Sequence, residues 1–100
     1  LAHLATTQGR QLLDPGAVRA VASGVASLLP AGITGINGSF EAGDAVEITD
    51  AAGQVIARGL VNFSSAELPQ MLGRSTRELG EDLGSQFERA VVHVDDLVVV

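Results

Sequence analysis

Apolar residues fall into two spacings along this chain, one helical and one alternating, and the switches between them mark short elements. Ala17, Val18, Ala20, Val21 and Ala22 follow Asp14-Pro15-Gly16. Asp14 is a good N-cap, and Pro15 suits a first helical position because its missing N–H has no intrahelical partner there. This predicts a short helix that stops near Gly24. Leu28-Leu29-Pro30-Ala31-Gly32 breaks the chain. Ile33, Ile36 and Phe40, set among Gly35, Asn37 and Gly38, then predict a bent or bulged strand. Val46 and Ile48 alternate with Glu47 and Thr49 as in a half-buried strand. Asp50-Ala51-Ala52-Gly53 turns the chain, and Gln54 to Val61 returns as the second arm of a hairpin.

Two short helices are expected next. Ser64-Ser65-Ala66-Glu67 and Ser75-Thr76-Arg77-Glu78 both have capping-box spacing. Pro69 shortens the first, while Leu79 and Leu83 share a face of the second, which Gly84 ends. Ala90 to Val94 and Leu97 to Val100 read as two strands joined at Asp95-Asp96. The last is apolar on both faces and is therefore expected to be buried. Leu1 to Arg10 lacks periodicity and reads as a linker or preceding connection, leaving residues 11–100 as the domain. Strands dominate, and a small barrel with peripheral short helices is the expected architecture.

Composition narrows the class. The chain has 100 residues, 46% hydrophobic and 18% charged, which is globular rather than disordered composition. With three Phe and no Trp or Tyr, the core must be aliphatic. The absence of cysteine excludes disulfides, thiolate metal sites and a cysteine nucleophile. It fits a reducing compartment. No apolar run approaches the ~20 residues that span a bilayer, and no secretory signal opens the chain. All six positive charges are Arg, against twelve carboxylates, for a net charge of -6. Nucleic-acid binders draw non-specific affinity from neutralising phosphates, so any basic patch here is small and sits in an acidic surround. Anionic membranes are disfavoured for the same reason.

Catalytic chemistry finds no anchor. The glycines form neither of the common phosphate-binding loops, and Gly35-Ile36-Asn37-Gly38 reads as backbone permissiveness at a bend. His3 and His93 are far apart. His93 with Asp95 and Asp96 makes a poor ligand set, because neighbours on a strand point to opposite faces. Ser64-Ser65 is explained by capping, Asp44 by turn formation, and Glu81-Asp82 by a solvated helix face. Arg74 and Arg77 lie three apart and form a thin patch. No catalytic or metal-binding residue is assigned.

The series Leu13-Asp14-Pro15-Gly16-Ala17, Ser27 to Ile33, Gly38 to Asp44, Ile56 to Ser65 and Val91 to Val98 carries a further message in its order and spacing. It resembles the C-terminal PUA domain of bacterial glutamate 5-kinases, over nearly the whole chain from Gln11 to Val100. The resemblance implies a mainly β pseudo-barrel with short flanking helices. It implies an amino-acid-kinase domain in the same protein, which phosphorylates glutamate with ATP and magnesium in the committed step towards proline, and a parent that is a homo-oligomer. None of the family's ATP, glutamate or catalytic residues falls on this sequence. In most families PUA domains bind structured RNA, for which Arg58, Arg74 and Arg10 are the candidate contacts here. Related domains often carry basic residues where this chain has Ala26, Ala42 and Val94. The expectation is thus an accessory, non-catalytic domain of a cytoplasmic kinase, with an RNA-binding module as the alternative.

Overall fold

The computed structural model describes residues 8–100. Five strands, β1 (Gly9–Leu13), β2 (Ile33–Gly38), β3 (Ala45–Thr49), β4 (Val55–Leu60) and β5 (Leu97–Val99), form one sheet in the order β2-β1-β3-β4-β5. β1 runs parallel to β3, and the other neighbours are antiparallel. A parallel neighbour demands a crossover rather than a tight turn. Here the crossover carries helix α1 (Pro15–Ala22) and the whole of β2. The second helix, α2 (Thr76–Leu83), belongs to the connection between β4 and β5.

Local chemistry places these elements largely as expected. Asp14 accepts a hydrogen bond from the Ala17 N–H at 2.7 Å, and Pro15 opens α1. At the hairpin, Asp50 Oδ1 accepts from the Ala52 and Gln54 N–H groups, both at 2.9 Å. Gly53 completes that turn at φ +87°, a region side chains avoid. The irregularity foreseen in β2 lies at Thr34, which is passed over in the register between Leu12–Gly35 and Leu13–Ile33. The Thr34 hydroxyl donates to the Leu12 carbonyl at 3.2 Å.

Four expectations need correction. β1 includes Gly9 and Arg10 and lies inside the sheet, although no periodicity announced it. The segment at Ser64 forms only a 3-10 turn, Leu68–Gln70. Its capping box closes both ways, at 2.9 and 3.2 Å, but Pro69 cannot donate the next helical hydrogen bond. Residues 90–94 form no strand. Val92 makes an isolated antiparallel bridge to Leu28, and a 3-10 turn at Val94–Asp96 follows. Finally, β5 is not buried: it is an edge strand, and Val98 and Val100 are exposed.

The sheet is open. Leu28 precedes β2 and Val92 precedes β5, so their bridge ties together the lead-ins of the two edge strands. This gives the mainly β, barrel-like body without a continuous closing ladder. The inner face carries Leu13, Ile33, Val46, Ile48 and Ala57, packed with Val21 of α1, Leu68, Met71, Leu79, Val91 and Val92. Phe63 stacks on Phe87, with ring centroids 5.8 Å apart. Gly59 of β4 lets the bridge segment come close: a Cβ there would stand 2.5 Å from Val92 Cγ1 and 3.0 Å from the Asp96 carbonyl oxygen.

One polar side chain enters this core without a partner. Gln11 is fully buried, opposite Ile36 on one side and Ile48 on the other, and neither its amide oxygen nor its nitrogen is hydrogen-bonded. Replacing a buried unpaired group by an apolar one of similar shape removes a desolvation cost. Gln11→Met is therefore expected to stabilise the domain by about 1 kcal/mol, raising Tm by about 4–8 °C for a chain of this size. Thermal unfolding checks this; a lower Tm would show that the amide is satisfied in solution. Gly59→Ala is expected to cost about 1–3 kcal/mol through overpacking. Combined with Val92→Ala it should cost less than the sum of the two single changes. Additive urea-unfolding energies would exclude the contact.

Candidate interaction surfaces

Arg10, Glu47 and Arg58 lie side by side on β1, β3 and β4, in register across the sheet. Period-two alternation turns all three away from the core face that Val46, Ile48 and Ala57 occupy. Arg10 Nε donates to Glu47 Oε1 at 2.9 Å, and Arg58 Nη2 stands 3.8 Å from Glu47 Oε2. Glu47 is the least exposed of the three, and one carboxylate thus serves two guanidinium groups. The same row continues to Asn37 on β2 and Val98 on β5.

Arg74, the third candidate, is elsewhere and engaged differently. Its guanidinium donates to Glu78 at 3.0 Å, to Asp82, and to the Gln70 carbonyl at 3.3 Å. The hydrogen bond to Glu78, above all, holds the Arg74 pKa above its ordinary range; partial desolvation works against this, and Asp82 adds to it. Arg77 turns to Glu81, 3.6 Å away, so Arg74 and Arg77 do not converge on a common ligand. Glu81 and Asp82 each answer an arginine. The sequence reading missed Glu47 as the shared partner. Its pairing with Arg58 follows from the hairpin register, whereas Arg10 required knowledge of β1.

The remaining polar candidates have structural occupations. Ser65 Oγ accepts from the Phe40 N–H at 3.1 Å and donates to its carbonyl at 3.3 Å. Asp44 Oδ2 accepts from the Glu41 N–H at 2.8 Å. His93 Nδ1 caps the following 3-10 turn by accepting from the Asp95 N–H at 3.1 Å. His3 lies outside the described residues. Among the described residues, no group of three or more His, Cys, Asp or Glu side chains is placed to hold a metal ion, and no helix is long and apolar enough to cross a membrane. An apolar groove of about 290 Å³ runs between α1 and residues 27–32, past Ala17, Ala20, Leu28 and Leu29. It lacks the convergent polar groups that orient a small substrate. Ala26 and Val94 sit close together, since the Val94 N–H donates to Ser27 Oγ at 2.8 Å.

Comparison with known proteins decides the family, because the PUA domain matches residues 9–82. The chain belongs to the PUA domain family. This PUA domain is 57% identical over 100 residues to the glutamate 5-kinase of Streptomyces coelicolor, covering all of this chain and 27% of that protein. It thus spans about a quarter of the length of the curated relatives it matches, in their C-terminal region. Among solved structures it is similar to a PUA domain from Aeropyrum pernix K1 in a tartrate complex, with 27% identity and a TM-score of 0.62. That likeness covers 86% of this chain and 41% of the other. It is also similar to a chain of the archaeal box H/ACA sRNP Nop10–Cbf5 complex, with 30% identity and a TM-score of 0.57 over 61% of this chain and 19% of that one. Fold class and family therefore stand as the residues implied.

The ion-pair geometry predicts how the surface answers to polyanions. Glu47→Gln should release both arginines from their carboxylate without disturbing the sheet. Binding of heparin or a short RNA should tighten severalfold, and the log affinity should fall about one unit more steeply with log salt, as for one added phosphate contact. An unchanged salt slope would show that Glu47 does not restrain the pair.

Proposed function

We propose that this PUA domain is an accessory part of a glutamate 5-kinase and tunes the enzyme without carrying its chemistry. The supporting observation is the extent of the match: identity of 57% runs over every residue of this chain yet takes in only 27% of the relative. The greater part of the parent accommodates the amino-acid-kinase portion, which transfers phosphate from ATP to the side-chain carboxylate of glutamate in the first step of proline biosynthesis. ATP and magnesium are assigned to that portion. Among the described residues the carboxylates are dispersed among arginine pairs and turns and no glycine-rich loop opens a helix, so these residues do not fit a nucleotide–metal group. The parent is then a cytoplasmic homo-oligomer, and the kinase portion is the domain's first partner.

The contributions open to such a domain are feedback response, activity level and oligomer geometry. Removal of residues 1–100 from the parent is expected to leave ATP-dependent glutamate phosphorylation intact while altering inhibition by proline or the number of subunits in the oligomer. Identical inhibition curves and an identical subunit number would overturn the reading. The likeness to a chain of a box H/ACA sRNP complex supports a second reading, an RNA-binding module using Arg58, Arg74 and Arg10. It predicts affinity that drops steeply with salt. A flat response across ~50–200 mM salt would dismiss it.

A further inference from the structure

The two edges of the sheet are built differently. β2 carries a bulge at Thr34 and three non-apolar positions at Gly35, Asn37 and Gly38, the kind of edge that resists pairing. β5 is blunted only by its three-residue length: Leu97-Val98-Val99 has no charge, proline or bulge, and no strand lies beyond it among the described residues. Val98 is 68% exposed, and Leu60, on the same outer face of β4, is 46% exposed. The cross-strand partner of Val98 is Arg58, next to Glu47 and Arg10. An aliphatic edge thus adjoins two guanidinium groups that share a single carboxylate, a local charge of +1 on a chain whose net charge is -6.

This composition suits a protein better than RNA. Arginine, here set beside exposed aliphatic side chains, is enriched in protein interfaces. Structured RNA is held largely through phosphate and 2′-OH contacts, and the row offers a local charge of only +1 for them. A carboxylate on an apolar segment can add to the Arg10–Glu47–Arg58 row, where guanidinium groups retain unused N–H donors.

We infer that the outer edge of β5, with Val98, Leu60, Arg58 and Arg10, docks the kinase portion of the same polypeptide through an extended apolar segment that bears a carboxylate. This rests on the accessory-domain reading above, which supplies the occupant. The unpaired backbone edge of β5 provides hydrogen bonds to the segment, and the arginine pair fixes its register.

The test uses the full-length parent and the 100-residue chain, each carrying Val98→Cys or Val25→Cys, with maleimide labelling followed by peptide mass spectrometry. Val25 is 81% exposed in the connection between α1 and β2 and serves as the reference. Val98→Cys is expected to react about tenfold more slowly in the full-length protein than in the isolated chain, whereas Val25→Cys reacts alike in both. Arg58→Glu in the full-length protein should restore much of the Val98→Cys rate. Equal Val98→Cys rates in both proteins overturn the inference. So does slow labelling within the isolated chain accompanied by a doubled sedimentation mass, which would assign the edge to a second copy. Protection that appears only on adding RNA overturns it too. Failure of the accessory reading itself would appear separately, as a full-length protein that does not phosphorylate glutamate.

Discussion

The body of this domain depends on one short antiparallel contact, in which the Leu28 N–H donates to the Val92 carbonyl at 2.9 Å and the Val91 N–H donates to the Leu28 carbonyl at 2.8 Å. A five-stranded open sheet leaves its inner face uncovered, and two short helices are too small to cover it alone. The bridge folds the lead-ins of β2 and β5 onto one another and carries Leu28, Val91 and Val92 into the core. The opposite side of the same segment is tied to Asn62, whose N–H donates to the Val91 carbonyl at 2.8 Å and whose side-chain amide donates to the Ala90 carbonyl at 3.0 Å. Residues 90–92 are thus satisfied on both flanks without belonging to a strand. Gly59 permits the approach because β4 offers no Cβ where Val92 packs.

Electrostatics on the surface follow from stoichiometry and register together. With twice as many carboxylates as arginines, most cations find an acid nearby, and exposed pairs of this kind each contribute about 1 kcal/mol or less. Their consequence is orientation. Glu78 and Asp82 bind Arg74 against the helix from which they project, while Arg10 and Arg58 share Glu47 and keep donors facing solvent. Of these two arrangements only the second leaves guanidinium donors to offer, and it lies on the outer face of the sheet, beside β5.

A fold shared by many proteins does not by itself name an activity. Here family membership and the position of the match in longer kinases give the domain its setting, while the local chemistry describes what it can contribute. Ser64, Ser75, Asp14, Asp44, Asp50 and His93 are occupied in caps and turns, and the groove beside α1 is lined mainly by apolar residues. The outer sheet face presents Arg10 and Arg58 beside the exposed Val98.

The elements legible in the sequence were those whose signals are local. Asp14-Pro15 set the start of α1, Asp50 to Gly53 the hairpin, and Ser75 with Glu78 the start of α2, because caps and turns act within four residues. The family was legible too, through motifs spread over the whole chain. Tertiary structure alone decided the rest. β1 has no alternating pattern, since Arg10 and Gln11 interrupt it, and it becomes a strand only because β2 and β3 flank it. The run Leu97 to Val100 is apolar on both faces, which says nothing about how many neighbours it has; the sheet order makes it an edge. Residues 90–94 look like a strand but find one bridge partner. The meeting of Arg10 with Arg58 over Glu47 spans 48 residues of chain, a juxtaposition that only strand order and register could bring about.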